Sequence, residues 1–229
     1  SWMTAAAQNG IPSSFVVGKT GKIEWIGHPM AELDKVLTQV LAGTFDAKAA
    51  AAEREKQEAL EARRAELLKP VEEAYQKKDW PAVVSGLDAV FAKEPAMEKD
   101  LAGVKFRIMA ISNPAEAYAY GDKIVAGLYK DEPMQVGMMV VQLVKNPEVK
   151  DPDYAWASRT GEKALSGLKP GDSVYVSVAD SVALCYDKTG NADKAVAWPT
   201  AAVAGLDKLG SAVPDAYKKQ FTDRLAAYK

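Results

Sequence analysis

Cysteine and histidine are nearly missing from this sequence: Cys185 and His28 are the single examples of each. One cysteine excludes an internal disulfide framework and a cysteine-based metal cluster. One histidine excludes a multi-histidine metal site and leaves His-centred triads implausible. No metal and no cofactor is therefore expected. A basic excess is lacking too. Lys and Arg number 29 against 31 Asp and Glu, for a net charge of −2, which argues against a nucleic-acid-binding surface. No apolar run reaches the length of about eighteen residues that a membrane span needs. The opening SWMTAAAQNG lacks the basic region and apolar core of a signal peptide; one standing further upstream in a longer gene product stays open. The 229 residues suffice for one large domain or two small ones.

What is present falls into three textures. Within residues 1–45, Ser14–Val17 and Ile23–Ile26 are short runs of β-branched and aromatic residues. Lys19-Thr20-Gly21-Lys22 separates them, which predicts a β-hairpin. Leu33, Val36, Leu37, Val40 and Leu41 then recur at helical spacing, with Gly43 as a stop. Residues 46–69, DAKAAAAEREKQEALEARRAELLK, are strong helix formers with few large apolar side chains before Leu60. Asp46 is the expected N-cap, and Arg54 with Glu58 and Glu61 with Arg64 can meet on the surface. A helix polar nearly all round reads as a connector. A coiled-coil partner helix is the alternative, but no apolar heptad is sustained.

Residues 70–229 read as a series of helices. Breaks are expected near Trp80-Pro81, Glu94-Pro95, Asn113-Pro114, Glu132-Pro133, Asn146-Pro147, Pro170-Gly171, Gly190-Asn191 and Val213-Pro214. Met134–Val144 is apolar nearly all round and reads as a central buried helix. Met134, Met138 and Met139 are alternatively an adaptable binding surface. Cys185 reads as a small buried hydrophobe, with a reactive thiol as the alternative.

Two stretches here resemble tetratricopeptide (TPR) units. In ALCYDKTGNADKAVAWPTAAV, residues 183–203, the residues Ala183, Tyr186, Gly190, Ala195 and Ala202 match that repeat; Pro199 departs from it and is expected to kink the second helix or shift its start. In EEAYQKKDWPAVVSGLDAVFAKEP, residues 72–95, Asp79-Trp80 supplies the turn and Lys78 replaces the turn glycine. The two turns are not separated by a multiple of the usual period of about 34 residues. A degenerate TPR-like array is expected, either a groove for peptides or a scaffold that buries its own apolar faces.

The opening region carries a second resemblance. MTAAAQNGIPSSFVVGKTGKIEWIGHP, followed by an amphipathic helix, resembles the C-terminal half of a thioredoxin-like redoxin of the TlpA or AhpC/TSA kind. There a helix (here Trp2–Gln8) leads to Gly10-Ile11-Pro12, then strand, tight turn, strand and a last helix at about Ala31–Ala42. The likeness covers about 45 of the 229 residues. It implies a cis Ile11–Pro12 bond, with Ile11 and Pro12 facing a bound substrate chain. The family's Cys-x-x-Cys half has no counterpart here, and no catalytic residue is expected in this chain. His28, in Gly-His-Pro-Met, reads as a surface or helix-start residue, with a substrate contact as the alternative; Trp25 reads as hairpin packing, with a substrate platform as the weaker alternative.

The expected fold is thus mainly α: a partial thioredoxin-like piece (1–45), a helical connector (46–69) and a TPR-like array (70–229). One functional expectation is the C-terminal portion of a thiol-disulfide oxidoreductase, silent on its own, with an appended interaction domain. The other is a non-enzymatic helical-repeat scaffold. Partners would be a protein or peptide at the array or the Pro12 face, or a second copy pairing through the hairpin edge. A periplasmic or secreted location is what the redoxin resemblance implies.

Overall fold

The computed structural model describes residues 2–6, 11–30, 32–169, 173–208, 218, 219, 222, 223 and 226. Gln8, Gly10, Ala31, Pro170, Gly171, Val213 and Pro214, named above, lie outside them. The chain is mainly helical with one small antiparallel sheet, and it divides into two compact units, 1–67 and 68–229. Among the described residues, no helix is long and apolar enough to cross a membrane.

Unit 1 opens with one helical turn, α1 (Trp2–Ala5), then β1 (Ser14–Val17) and β2 (Ile23–Gly27) as a hairpin. Gly21 takes a positive φ of 76° in the connecting turn, a conformation that glycine adopts without a Cβ clash. Phe15 pairs with Ile26 and Val16 with Trp25, but Val17 pairs with Ile23. Glu24 is thus an extra residue that bulges β2, a feature alternation alone did not announce. Helix α2 (Leu33–Ala42) follows. It ends at Gly43, where φ is 70° and the amides of Gly43 and Thr44 donate to the carbonyls of Val40 and Gln39. This αL closure satisfies carbonyls that the helix end would orphan.

Helix α3 (Ala47–Gln76) begins where Asp46 accepts a hydrogen bond from the Ala49 amide at 2.9 Å. Arg54 and Glu58 pair across one turn at 3.5 Å. The connector was expected to stop at 69, before Pro70; instead the helix runs through Pro70 for six more residues. Proline removes only the hydrogen bond to the Glu66 carbonyl. Good helix formers on both sides, and the burial of Val71 against Gly86 of the next helix, hold the segment helical across it.

Unit 2 continues with α4 (Trp80–Lys93), a 3-10 turn (Pro95–Met97), α5 (Glu98–Ser112), α6 (Pro114–Ala126), α7 (Pro133–Lys145), α8 (Tyr154–Gly167), α9 (Ser173–Lys188) and α10 (Ala192–Lys208). Pro81, Pro114 and Pro133 stand in the first turns of α4, α6 and α7, where the missing N–H costs nothing. Pro199 behaves otherwise. It stands inside α10, whose start at Ala192 is set by Asn191 accepting from the Lys194 amide. The helix neither starts later nor ends at it.

The packing order is regular. Helix α5 lies against α4, α6 and α7; α7 against α8 and α9; α9 against α8 and α10. The shared core holds Phe106, Val140, Leu143, Trp156, Val178 and Val182. Helix α7 is central, as its composition predicts, but Met134 at its first turn is exposed. Two glycines let these helices approach closely. A Cβ on Gly161 would stand 2.3 Å from Val182, and one on Gly137 would stand 2.6 Å from Val178. Both distances are well inside contact range, so a side chain there would force α7 or α8 away from α9.

The turns after α9 and after α3 close in the same way. After α9 the amides of Gly190 and Asn191 donate to Asp187 and Tyr186, with Gly190 at φ 76°. After α3 the amides of Lys78 and Asp79 donate to Tyr75 and Ala74, and Lys78 takes φ 55°. Lysine therefore occupies the left-handed position that glycine fills in the other turn. Asp79 then caps α4 by accepting from the Ala82 amide.

Candidate functional site

In unit 1 the Ile11–Pro12 peptide bond is cis and leads directly into β1. Proline lacks an N–H and suits the residues just before an edge strand. Ile11 is 92% exposed and Pro12 is exposed as well. Among the described residues β1 pairs with β2 and no third strand.

Exposed apolar side chains recur through the described part of unit 1. Among the described residues of 1–67 the buried large side chains are Val16 and Val36. Six large apolar side chains between Ile11 and Leu41 are exposed: Ile11, Val17, Ile23, Met30, Leu37 and Leu41. Four of them fall in two neighbouring pairs, Val17 opposite Ile23 in the hairpin and Leu37 one turn from Leu41 on α2, and clustered exposed apolar side chains mark interaction surfaces. A cavity of about 540 Å³ lies between β2, α2 and the start of α3, bordered by Trp25, Val36 and Gln39. The lysine and the arginine of its lining are paired, Lys35 with Glu32 at 3.3 Å and Arg54 with Glu58.

His28 is exposed, and its Nδ1 accepts a hydrogen bond from the Met30 amide at 3.2 Å. That holds the turn before α2. The Trp25 indole lies over Gly27, where an added Cβ would come within 2.2 Å of the ring. Trp25 thus packs within its own hairpin. Among the described residues no three Cys, His, Asp or Glu side chains converge in a way that could hold a metal.

Cys185 lies on α9, in unit 2, and is fully buried. Burial pushes its thiol pKa up to about 12, because the thiolate would sit in an apolar core without water. The expected outcome is that a thiolate-directed alkylating reagent at pH 8 leaves the folded chain unlabelled and modifies one thiol after denaturation. Rapid labelling of the folded chain would overturn this assignment.

The methionines do not form one surface. Met139 is buried in the core, Met138 is partly buried and Met134 is exposed. A second concave surface lies elsewhere in unit 2, where α3, α5 and α7 border a cavity of about 340 Å³. Its polar side chains, Arg107 and Gln142 among them, were not singled out by sequence. The one signal was Arg107 standing as the single charge in FRIMAI, residues 106–111.

Comparison of the chain with protein-family models, curated proteins and solved structures gave no match.

Proposed function

We propose that this chain is the C-terminal portion of a thioredoxin-like thiol-disulfide oxidoreductase carrying an appended TPR-like interaction domain. The observation that carries the reading is the uncovered apolar surface of unit 1. Among the described residues between Ile11 and Leu41, two large apolar side chains are buried and six are exposed. Two strands are too few for independent stability. The strand-turn-strand-helix order matches the end of a redoxin, and the strands that precede it in that fold would cover this face. In the complete protein an upstream thiolate attacks a substrate disulfide and forms a mixed disulfide. The second thiol resolves it, leaving the enzyme dithiol oxidised and the substrate as two thiols. Ile11 and Pro12 would hold the substrate chain. The chain described here contributes no thiol to that chemistry and is silent alone. The resemblance also points to a periplasmic or secreted protein.

The TPR-like part of the reading rests on neighbour order. Helices α5, α7 and α9 stack on one another in sequence, and α6, α8 and α10 follow each of them. Helices α5, α7 and α9 begin at residues 98, 133 and 173, steps of 35 and 40 residues, close to one repeat length.

The second reading is a non-enzymatic scaffold. Its support is that most of the buried core belongs to unit 2. Unit 1 would then dock a partner or pair with a second copy through the outer edge of β1.

The mass of the natively produced polypeptide decides between them. The expected product is longer by about a hundred residues, one small domain's worth, and holds two further cysteines. A native product beginning near Ser1 overturns the oxidoreductase reading and leaves the scaffold. In a disulfide-reduction assay the present chain is expected to show no turnover.

A further inference from the structure

We propose that the groove between α3, α5 and α7 binds an extended acidic segment of a partner polypeptide, with Arg107 receiving its carboxylate. The groove is built from stripes one helical turn apart. Arg107 and Ile111 lie four residues apart on α5, and Val141 and Lys145 four apart on α7, with Gln142 beside them. Tyr75, near the end of α3, closes one side; its ring meets Trp80 edge to face at 5.4 Å.

The charges decide which ligand fits. Lys145 is engaged by the buried Asp180 at 2.7 Å, and Glu148 by Lys78 at 2.9 Å. Arg107 is partly buried, and its guanidinium has no hydrogen-bond or ion-pair partner among the described residues. Counting the two ion pairs and Arg107, the site carries one unmatched positive charge. Guanidinium matches a carboxylate in a bidentate, planar geometry. The Gln142 amide and the Tyr75 hydroxyl, which make no side-chain hydrogen bond among the described residues, add donors beside it.

Ile111, Val141 and the Tyr75 ring give the same groove an apolar floor. A lone small carboxylate would leave that floor wet. The volume of about 340 Å³ is at the low end for ligand cavities and suits an acidic side chain with one apolar neighbour, not a large cofactor. A peptide supplies both groups on one backbone.

The inference rests on unit 2 being an interaction surface, and not on the redoxin reading. It is tested in this chain alone, whereas the redoxin reading is decided by the native mass. The probe is a pool of acetylated hexapeptides with a fixed central glutamate flanked by randomised apolar residues, beside the matched glutamine pool. The glutamate pool is expected to bind about 10- to 100-fold more tightly, the range for a charge-assisted hydrogen bond, and to weaken with added salt. Arg107→Gln is expected to erase the preference, Arg107→Lys to keep part of it, and Arg159→Gln, the same charge change on the exposed face of α8, to leave it intact. Thermal melts check that the variants fold. Equal behaviour of the two pools, or a preference surviving Arg107→Gln, overturns the proposal. So does full competition by N-acetylglutamate at the concentration that half-saturates the peptide pool, which would make the ligand a small acid.

Discussion

Replacing Trp156 with alanine is expected to lower the stability of the helical unit by about 3–5 kcal/mol, the range for deleting a fully buried large aromatic. Trp156 is 2% exposed. Its ring stacks on Phe106 with centroids 5.1 Å apart and meets Tyr118 at 5.4 Å. Its indole Nε1–H donates to Asp122 at 2.8 Å. Tyr118 is fixed in turn, since its hydroxyl accepts from the Asp153 amide at 2.7 Å. The cluster therefore joins α5, α6 and α8 in one contact. It also explains Gly121, where an added Cβ would come within 2.7 Å of the Phe106 ring and 2.8 Å of Trp156. Trp156→Phe keeps most of the stacking and loses the hydrogen bond. Asp122 is exposed and takes water instead, so the expected loss is smaller, about 1–2 kcal/mol. Chemical denaturation followed by circular dichroism measures both. A loss under about 1 kcal/mol for the alanine variant would show that this cluster does not organise the core.

The second large effect concerns Lys145 and Asp180. Asp180 is 2% exposed on α9, and the Lys145 ammonium reaches it from α7. A buried carboxylate that loses its cation keeps its desolvation cost and loses its ion-pair energy. Lys145→Met is expected to cost about 2–4 kcal/mol, somewhat under the value for a fully buried pair, because the lysine side chain is 35% exposed. Replacing both partners, Lys145→Met with Asp180→Leu, is expected to return most of the loss, since apolar contacts of similar volume often match a buried pair. If the double variant is no more stable than Lys145→Met alone, the pair is not the source of the cost. The comparison also bears on the groove, because Lys145 held by Asp180 leaves Arg107 as the unmatched cation there.

Much of the local structure was written in short sequence signals. Asp46, Asp79 and Asn191 begin helices because their side-chain oxygens satisfy amides that the first turn leaves open. Gly43 and Gly190 end them because a left-handed residue closes the last carbonyls. The hairpin followed from two β-branched runs around a glycine turn. These signals act over four to six residues, and a sequence states them directly.

What the sequence decided by itself was the kind of element at each position: a hairpin, an amphipathic helix, a long polar helix and a run of helices broken by prolines. It also decided that chemistry needing several cysteines or histidines has no place in these 229 residues. The tertiary structure decided the rest. The connector read as ending at 69, yet its helix runs on through Pro70, because the lost hydrogen bond and the ring's crowding of the preceding turn are outweighed by the packing and propensity of the turns around it. The same holds for the groove at Arg107. Its residues come from positions 75 to 148, and what marks the site is that one guanidinium has no partner among the described residues. Pairing is a property of where helices cross, and no local pattern in the chain encodes it.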